Sequence, residues 1–250
     1  MSRRVEEYLK SEAKKANALV FVLIDSEISN MDASIKLARG VEQAGASAIL
    51  VGGSSATDQM GMSQTVQAIK KSVKIPVILF PGNITGIVPE ADAIFFSCLM
   101  NSDNPYFITQ AQALGAPSVL KFGLEALPTA YLIIGQGTSA WFVGSARGIP
   151  LGKPNIAAAY ALAARFFGMR FVYLEAGSGA ATNVNPEMVR AVRRAFDGFL
   201  IVGGGIRDAG TAKQLADAGA DALVIGTLLE QDGKLETLVE ITKTIQGRTA

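Results

Sequence analysis

Phe199-Leu200-Ile201-Val202-Gly203-Gly204-Gly205-Ile206-Arg207-Asp208 is an apolar, strand-length run that ends in three glycines, and Ala222-Leu223-Val224-Ile225-Gly226-Thr227 repeats the pattern further on. An amphipathic stretch, Thr211 to Ala218, lies between them. Strand, glycine turn, helix, strand is the βα unit of a parallel sheet. Glycines at the C-terminal end of a strand let backbone N–H groups approach an anion closely, and a following helix adds the positive end of its dipole. In an eight-stranded barrel the loops after the seventh and eighth strands form a recurrent phosphate site. The alternative is that these glycines serve only tight turns.

The same unit repeats along the whole chain. Strands are predicted at Leu19–Asp25, Ala48–Gly53, Val77–Pro81, Ala93–Met100, Ala130–Ile134, Phe171–Ala176, Phe199–Gly203 and Ala222–Gly226. Helices are predicted at Asp32–Ala44, Ser63–Ser72, Ile156–Phe167, Pro186–Ala195, Thr211–Ala218 and Glu236–Ile245. Eight near-evenly spaced strands with glycine at their ends favour a closed (β/α)8 TIM barrel over an open doubly wound sheet. The third unit is irregular: Gly82 to Asp92, with Pro89 inside it, leaves room for a loop or a single turn. No linker or low-complexity tract divides residues 1–250, so one barrel domain is expected. The mixed-charge stretch Ser2 to Lys15 reads as a short, solvated N-terminal helix and not as a signal peptide.

Composition removes whole classes of chemistry. With 23 basic and 22 acidic residues and no basic block, there is no electrostatic footprint for nucleic acid. The apolar runs are strand-length, far short of the roughly 20 residues of a membrane span, and a cytoplasmic protein is expected. The chain has no histidine, which excludes Ser-His and Cys-His catalysis and most zinc sites. Its one cysteine, Cys98, sits among apolar residues and reads as a buried bystander. Carboxylates, Lys, Tyr and oxygen-liganded metals remain.

Barrel active sites lie at the C-terminal ends of the strands, so the residues there carry the functional reading. In Phe171-Val172-Tyr173-Leu174-Glu175-Ala176-Gly177 the period of two sends Val172, Leu174 and Ala176 toward the helices and Tyr173 and Glu175 into the barrel. Glu175 is then a general base, a ligand for a substrate hydroxyl, or one half of a buried ion pair. Tyr173 either shares that ligand or packs as core. Asp25 closes the first strand with the same inward phase; it either caps a turn or, with Ser54, holds Mg²⁺, which needs few protein oxygens beside a substrate phosphate.

Leu23-Ile24-Asp25, Val51-Gly52-Gly53-Ser54, Leu79-Phe80-Pro81-Gly82-Asn83, Tyr173-Leu174-Glu175-Ala176-Gly177-Ser178-Gly179-Ala180 and Val202-Gly203-Gly204-Gly205-Ile206-Arg207 resemble, in order and spacing, the signatures of the geranylgeranylglyceryl phosphate synthase family of archaeal ether-lipid prenyltransferases. The resemblance implies an ether bond formed between the 3-hydroxyl of sn-glycerol 1-phosphate and geranylgeranyl diphosphate, with release of pyrophosphate, in phospholipid biosynthesis. It implies that Tyr173, Leu174, Glu175, Ala176, Gly177, Ser178, Gly179, Gly204, Gly205, Gly226 and Thr227 bind glycerol phosphate. Glu175 and Tyr173 would be catalytic, Asp25 and Ser54 would hold Mg²⁺, and the enzyme would be a homo-oligomer, dimer or hexamer. The chain departs from the family around its first strand, where Val20, Val22, Ser26, Glu27 and Ile28 stand at positions usually held by His, Thr, Pro, Asp and Lys.

Phe95, Phe96, Leu99, Met100, Tyr106 and Phe107 are candidate wall for a long apolar tail, with core packing as the other reading. Lys121, Arg147 and Lys153 are candidate diphosphate cations, and Trp141, in a glycine-bounded segment, is a candidate interface anchor or a residue packed within one subunit. Two other functions share the phosphate loops: a sugar-phosphate isomerase, aldolase or synthase, and a non-catalytic phosphate-binding scaffold.

Overall fold

The computed structural model of the protein describes residues 4–25, 31–53, 58–226 and 235–247. Eight strands, β1 (Leu19–Asp25), β2 (Ala48–Gly53), β3 (Val77–Pro81), β4 (Ala93–Leu99), β5 (Glu125–Ile133), β6 (Phe171–Glu175), β7 (Phe199–Gly203) and β8 (Ala222–Ile225), pair in chain order into a closed barrel. Every ladder is parallel, and β8 closes on β1 from Leu19↔Ala222 to Val22↔Ile225. Outside it lie α2 (Met31–Gln43), α3 (Gln59–Ser72), α4 (Ala111–Phe122), the short α5 (Ser139–Val143), α6 (Pro154–Phe166), α7 (Pro186–Ala195), α8 (Ala209–Asp217) and α9 (Leu235–Gln246).

Strand alternation divides the apolar residues into two layers. Leu19, Phe21, Leu50, Ile78, Phe95, Leu127, Phe171, Tyr173, Phe199 and Ile201 fill the barrel, while Val20, Val22, Ile49, Leu79, Val172, Leu174 and Val202 pack outward against the helices. The N-terminal helix α1 (Arg4–Ala13) belongs to the inner layer. Contrary to the solvated helix expected from its mixed charges, it plugs the bottom of the barrel with Val5 and Leu9, and it buries Glu6 as well. Glu125, at the start of β5, accepts from the free Val5 and Glu6 N–H groups at 2.7 and 2.9 Å, capping the helix from another element. The Glu6 carboxylate accepts from Arg170 at 2.6 Å and Lys10 at 2.7 Å.

The β3–β4 connection lacks its helix, as its length predicts, and makes only a 3₁₀ turn, Ile84–Gly86. The β3–β4 ladder has two register pairs, Ile78↔Ala93 and Leu79↔Ile94, whereas β4–β5 runs from Ala93↔Glu125 to Leu99↔Tyr131. β5 begins well before the predicted Ala130, because Pro128 removes one ladder donor without breaking the register. α4 was not anticipated: Gly115 and Pro117 interrupt its pattern, and its apolar residues circle the helix instead of marking one face. A π-helical segment, Tyr106–Gln110, leads into it.

Burial pushes the Glu6 carboxyl up, but the bonds and charges of Lys10 and Arg170 outweigh it and hold the group below its usual range. A folded pKa below the unfolded one gives stability that is present above the ordinary carboxylate range and lost as pH falls through the folded value. Arg170→Ala is expected to cost about 2–3 kcal/mol at pH 7, less than for a fully buried pair because Lys10 remains. Urea melts should show the loss shrinking as Glu6 protonates; an equal loss at pH 7 and pH 3 would contradict this account.

Candidate active site

The mouth of the barrel is organised by one buried carboxylate. Tyr173 and Glu175 share the inward phase of β6, and Val172, Leu174 and Ala176 face the helices, as the alternation predicts. Glu175 is 7% exposed and accepts from the Gly177 N–H at 2.6 Å. Its other surroundings come from β7, where a Cβ on Gly203 would lie 2.5 Å from the Tyr173 hydroxyl and 3.0 Å from Glu175 Oε2. A Cβ on Gly204, which has φ +86°, would lie 2.6 Å from Glu175 Oε1 and 2.6 Å from the Gly177 nitrogen. The bare backbone at Gly203 and Gly204 is therefore what lets Glu175 fit. Gly203 carries this role in addition to the anion loop or tight turn that the sequence suggests for it.

Burial pushes the Glu175 carboxyl up, opposed by bonding from Tyr173 and the Gly177 amide. The Tyr173 and Tyr131 phenols are pushed well above their usual value by burial and by the Glu175 charge, so both stay protonated. The buried Tyr173 hydroxyl lies close to Glu175 but has no well-formed hydrogen bond among the described residues. A base of enhanced strength and a protonated phenol stand together.

Gly177 and Gly179 (φ +105° and +69°) come beside Gly204 and Gly205 (φ +86° and +72°) through the approach of Gly204 to Gly177. Ser178 and Gly226 line the cavity that opens there, and Thr227 lies outside the described residues. The positive end of α8, which the sequence offered to an anion, is already taken. Asp208 caps it, accepting from the Thr211 N–H and hydroxyl, each at 2.8 Å.

From this mouth a cavity of ≈ 450 Å³ runs outward. Its barrel end is lined by Leu23, Asp25, Phe80, Tyr131 and Glu175. It then passes where β3 and β4 part, reaching the outward-facing Ile94 and Phe96 of β4, Ile84 and Ile87 of the 3₁₀ connection, and Ala111 and Gly115 of α4. Of the six candidate wall residues, Phe95, Phe96, Leu99 and Phe107 line it; Met100 and Tyr106 do not. Phe80 and Tyr131 were missed, although the inward phase shared by Ile78 and Phe80 carried the signal.

No Lys or Arg among the described residues lines the cavity. Lys121 is exposed in the last turn of α4, Lys153 is exposed before α6, and Arg147 is an exposed residue facing Asp103 at 3.9 Å. Val20 and Val22 are buried on the helix side of β1, so their departure from the family pattern does not alter the mouth. Ser26, Glu27, Ile28 and Ser54 lie outside the described residues. Cys98 is half-buried, and burial pushes its thiol up to about 11, which suits a bystander. Trp141 packs against Leu99, Ile133 and Ala146 of its own chain, while Phe142 is exposed.

The whole chain has close relatives. Geranylgeranylglyceryl phosphate synthase of Nitrosopumilus maritimus is 74% identical over 243 residues, covering 97% of each chain. The protein of that name from Pyrococcus abyssi is 48% identical, covering 93% of this chain and 92% of its own. Among solved structures, (S)-3-O-geranylgeranylglyceryl phosphate synthase from Thermoplasma acidophilum, in complex with the substrate sn-glycerol-1-phosphate, superposes with a TM-score of 0.93 at 37% identity, covering 99% of this chain and all of its own. Thiamine phosphate pyrophosphorylase from Pyrococcus furiosus, at 13% identity and a TM-score of 0.61, shares the fold alone. The family model matches residues 12–245, all eight strands and every loop of the mouth, and the chain belongs to the PcrB family.

Proposed function

We propose that this protein is a prenyltransferase that joins the 3-hydroxyl of sn-glycerol 1-phosphate to C1 of geranylgeranyl diphosphate, releasing pyrophosphate, in ether phospholipid biosynthesis. The observation that carries the reading is one continuous cavity with two unlike ends: a buried carboxylate beside glycine loops, and an apolar groove leaving through the side of the barrel. The names of the relatives support the same reaction. A sugar-phosphate isomerase or aldolase has no use for the groove.

The loops around Gly177, Gly179, Gly204 and Gly205 hold the phosphate, which brings the glycerol hydroxyl beside Glu175. As its oxygen bonds to C1, the C1–O bond to diphosphate breaks with its electron pair on pyrophosphate, and the hydroxyl proton passes to Glu175. The raised pKa makes that carboxylate a better proton acceptor than an exposed one. Tyr173, neutral and with its hydroxyl beside Glu175, orients the acceptor. The apolar groove keeps water from the reacting carbon.

Asp25 lines the mouth where a diphosphate would enter, and a carboxylate there fits an oxygen-liganded divalent ion. Asp25, with Ser54, would hold Mg²⁺, which when bound offsets the charge of the leaving diphosphate. Among the described residues no three His, Cys, Asp or Glu groups gather as a closed metal site, in keeping with an ion completed by water and substrate oxygens. The reading extends to a homo-oligomer: Leu114 and Leu120 on α4 and Phe166 at the end of α6 are more than half exposed, apolar surface of the kind that self-association covers. No helix among the described residues is long and apolar enough to cross a membrane.

Labelled glycerol 1-phosphate incubated with geranylgeranyl diphosphate and Mg²⁺ should move into the organic phase; label that stays in water sinks the reading. Glu175→Gln is expected to lower transfer roughly 10²–10⁴-fold and to remove the acidic limb of the rate profile, which lies above the ordinary carboxylate range. Because the folded pKa of Glu175 is the raised one, its stability contribution is fully present at low pH and lost as pH rises through that value. The same variant should therefore melt higher than wild type at pH 7 and match it in acid; a lower melting temperature at pH 7 would count against a costly buried carboxylate. Asp25→Asn should raise the Mg²⁺ concentration needed for half-maximal rate while glycerol phosphate binding, read by calorimetry, holds.

A further inference from the structure

We propose that Phe80, positioned by Tyr131 and Tyr173, is a catalytic residue whose π face stabilises the positive charge that develops on the allylic carbons of the prenyl diphosphate. The proposal rests on the prenyl-transfer reading above. Phe80 lies in the inward phase of β3 and lines the cavity at its barrel end, before the lining turns to Ile84, Ile87 and Phe96. With the acceptor hydroxyl at Glu175, the diphosphate at Asp25 and the tail in the groove, C1 falls at that turn.

The ring is fixed before any substrate arrives. It stacks on Tyr173, with centroids 5.4 Å apart and planes 23° apart, and meets Tyr131 at 5.4 Å and 87° and Phe95 at 5.8 Å and 89°. Its backbone is drawn close to β2, where a Cβ on the paired Gly52 would lie 1.9 Å from the Phe80 carbonyl oxygen. A ring already in place stabilises developing charge without reorganising at the moment of reaction.

The lining around Phe80 favours a cation. No Lys or Arg among the described residues faces the cavity, and Asp25 and Glu175 do. A carboxylate pressed against an allylic cation would compete with the acceptor as a nucleophile. An aromatic face attracts the charge and forms no bond. The balance of the step is unchanged: the electron pair of the breaking C1–O bond leaves on pyrophosphate, the acceptor oxygen supplies the new pair, and its proton goes to Glu175.

The test replaces Phe80 with mono-, di- and trifluorinated phenylalanine, which withdraw electron density from the ring with little change of shape. The single-turnover rate of transfer from geranylgeranyl diphosphate to glycerol 1-phosphate should fall stepwise, roughly 10–100-fold over the series, with KM for the diphosphate nearly constant. The same series at Phe199, which stacks on Phe21 and does not line the cavity, should leave the rate unchanged. A flat rate over the Phe80 series in an otherwise active enzyme would overturn this proposal alone, as would an equal fall at Phe199. Failure of the unsubstituted enzyme to form product would overturn the underlying reading.

Discussion

Two register pairs hold β3 to β4, and the rest of the site depends on that short ladder. A barrel closes because each strand pairs on both sides and each strand pair is covered by a helix. Here the covering helix is replaced by one 3₁₀ turn, so the upper parts of β3 and β4 are joined neither by hydrogen bonds nor by a helix packed across them. The space is taken by Ile84 and Ile87 and, from α4, by Ala111, Gln112 and Gly115. A fold whose mouth normally serves small phosphates thereby gains a side exit suited to a hydrocarbon. No separate lipid-binding domain is needed.

The two ends of the barrel treat buried charge differently. At the bottom, Glu6 is answered by Arg170 and Lys10, and Glu125 is spent on the first amides of α1. These are completed interactions, and they tie the N-terminal helix to β5 and to the approach to β6. At the mouth, Glu175 has one backbone amide and a tyrosine neighbour, with no cation within the cavity among the described residues. An incompletely answered carboxylate raises the free energy of the folded state, and a glycerol hydroxyl is a group that could complete it.

Much of this was legible in the sequence, for identifiable reasons. Period-two alternation placed Tyr173, Glu175 and Asp25 inside because β6 and β1 are regular strands, and the same rule explains why Val20 and Val22 leave the mouth unchanged. The incomplete third unit followed from the length of the segment between Gly82 and Asp92 and its proline. What escaped were features set by tertiary contact. The Glu6–Lys10 pair follows from their spacing on one helix, but nothing local reveals that Arg170 meets Glu6 from across the chain. α4 lacks a one-sided pattern because Leu114 and Leu120 are exposed while the small or polar Ala111, Gln112 and Gly115 line the groove. Asp208 follows Gly205 closely enough to be read as part of an anion loop, yet it caps α8 itself.

The glycines of β7 make the final connection between sequence and chemistry. A triple glycine invites the reading of a phosphate loop, but Gly203 and Gly204 are also where any side chain would strike the Tyr173 hydroxyl or the Glu175 carboxylate. Gly204 adds a φ of +86°, a conformation that other residues adopt only under strain. On the proposed reading, one short run therefore does two jobs: it offers backbone to an anion and leaves room for the Glu175 carboxylate beside it. The acceptor's phosphate and its reacting hydroxyl belong to the same small molecule, so the distance between their binding groups must match its length. On the proposed reading, the close approach of Glu175 on β6 to Gly203 and Gly204 at the end of β7 ties that distance to the backbone geometry of two neighbouring strand ends.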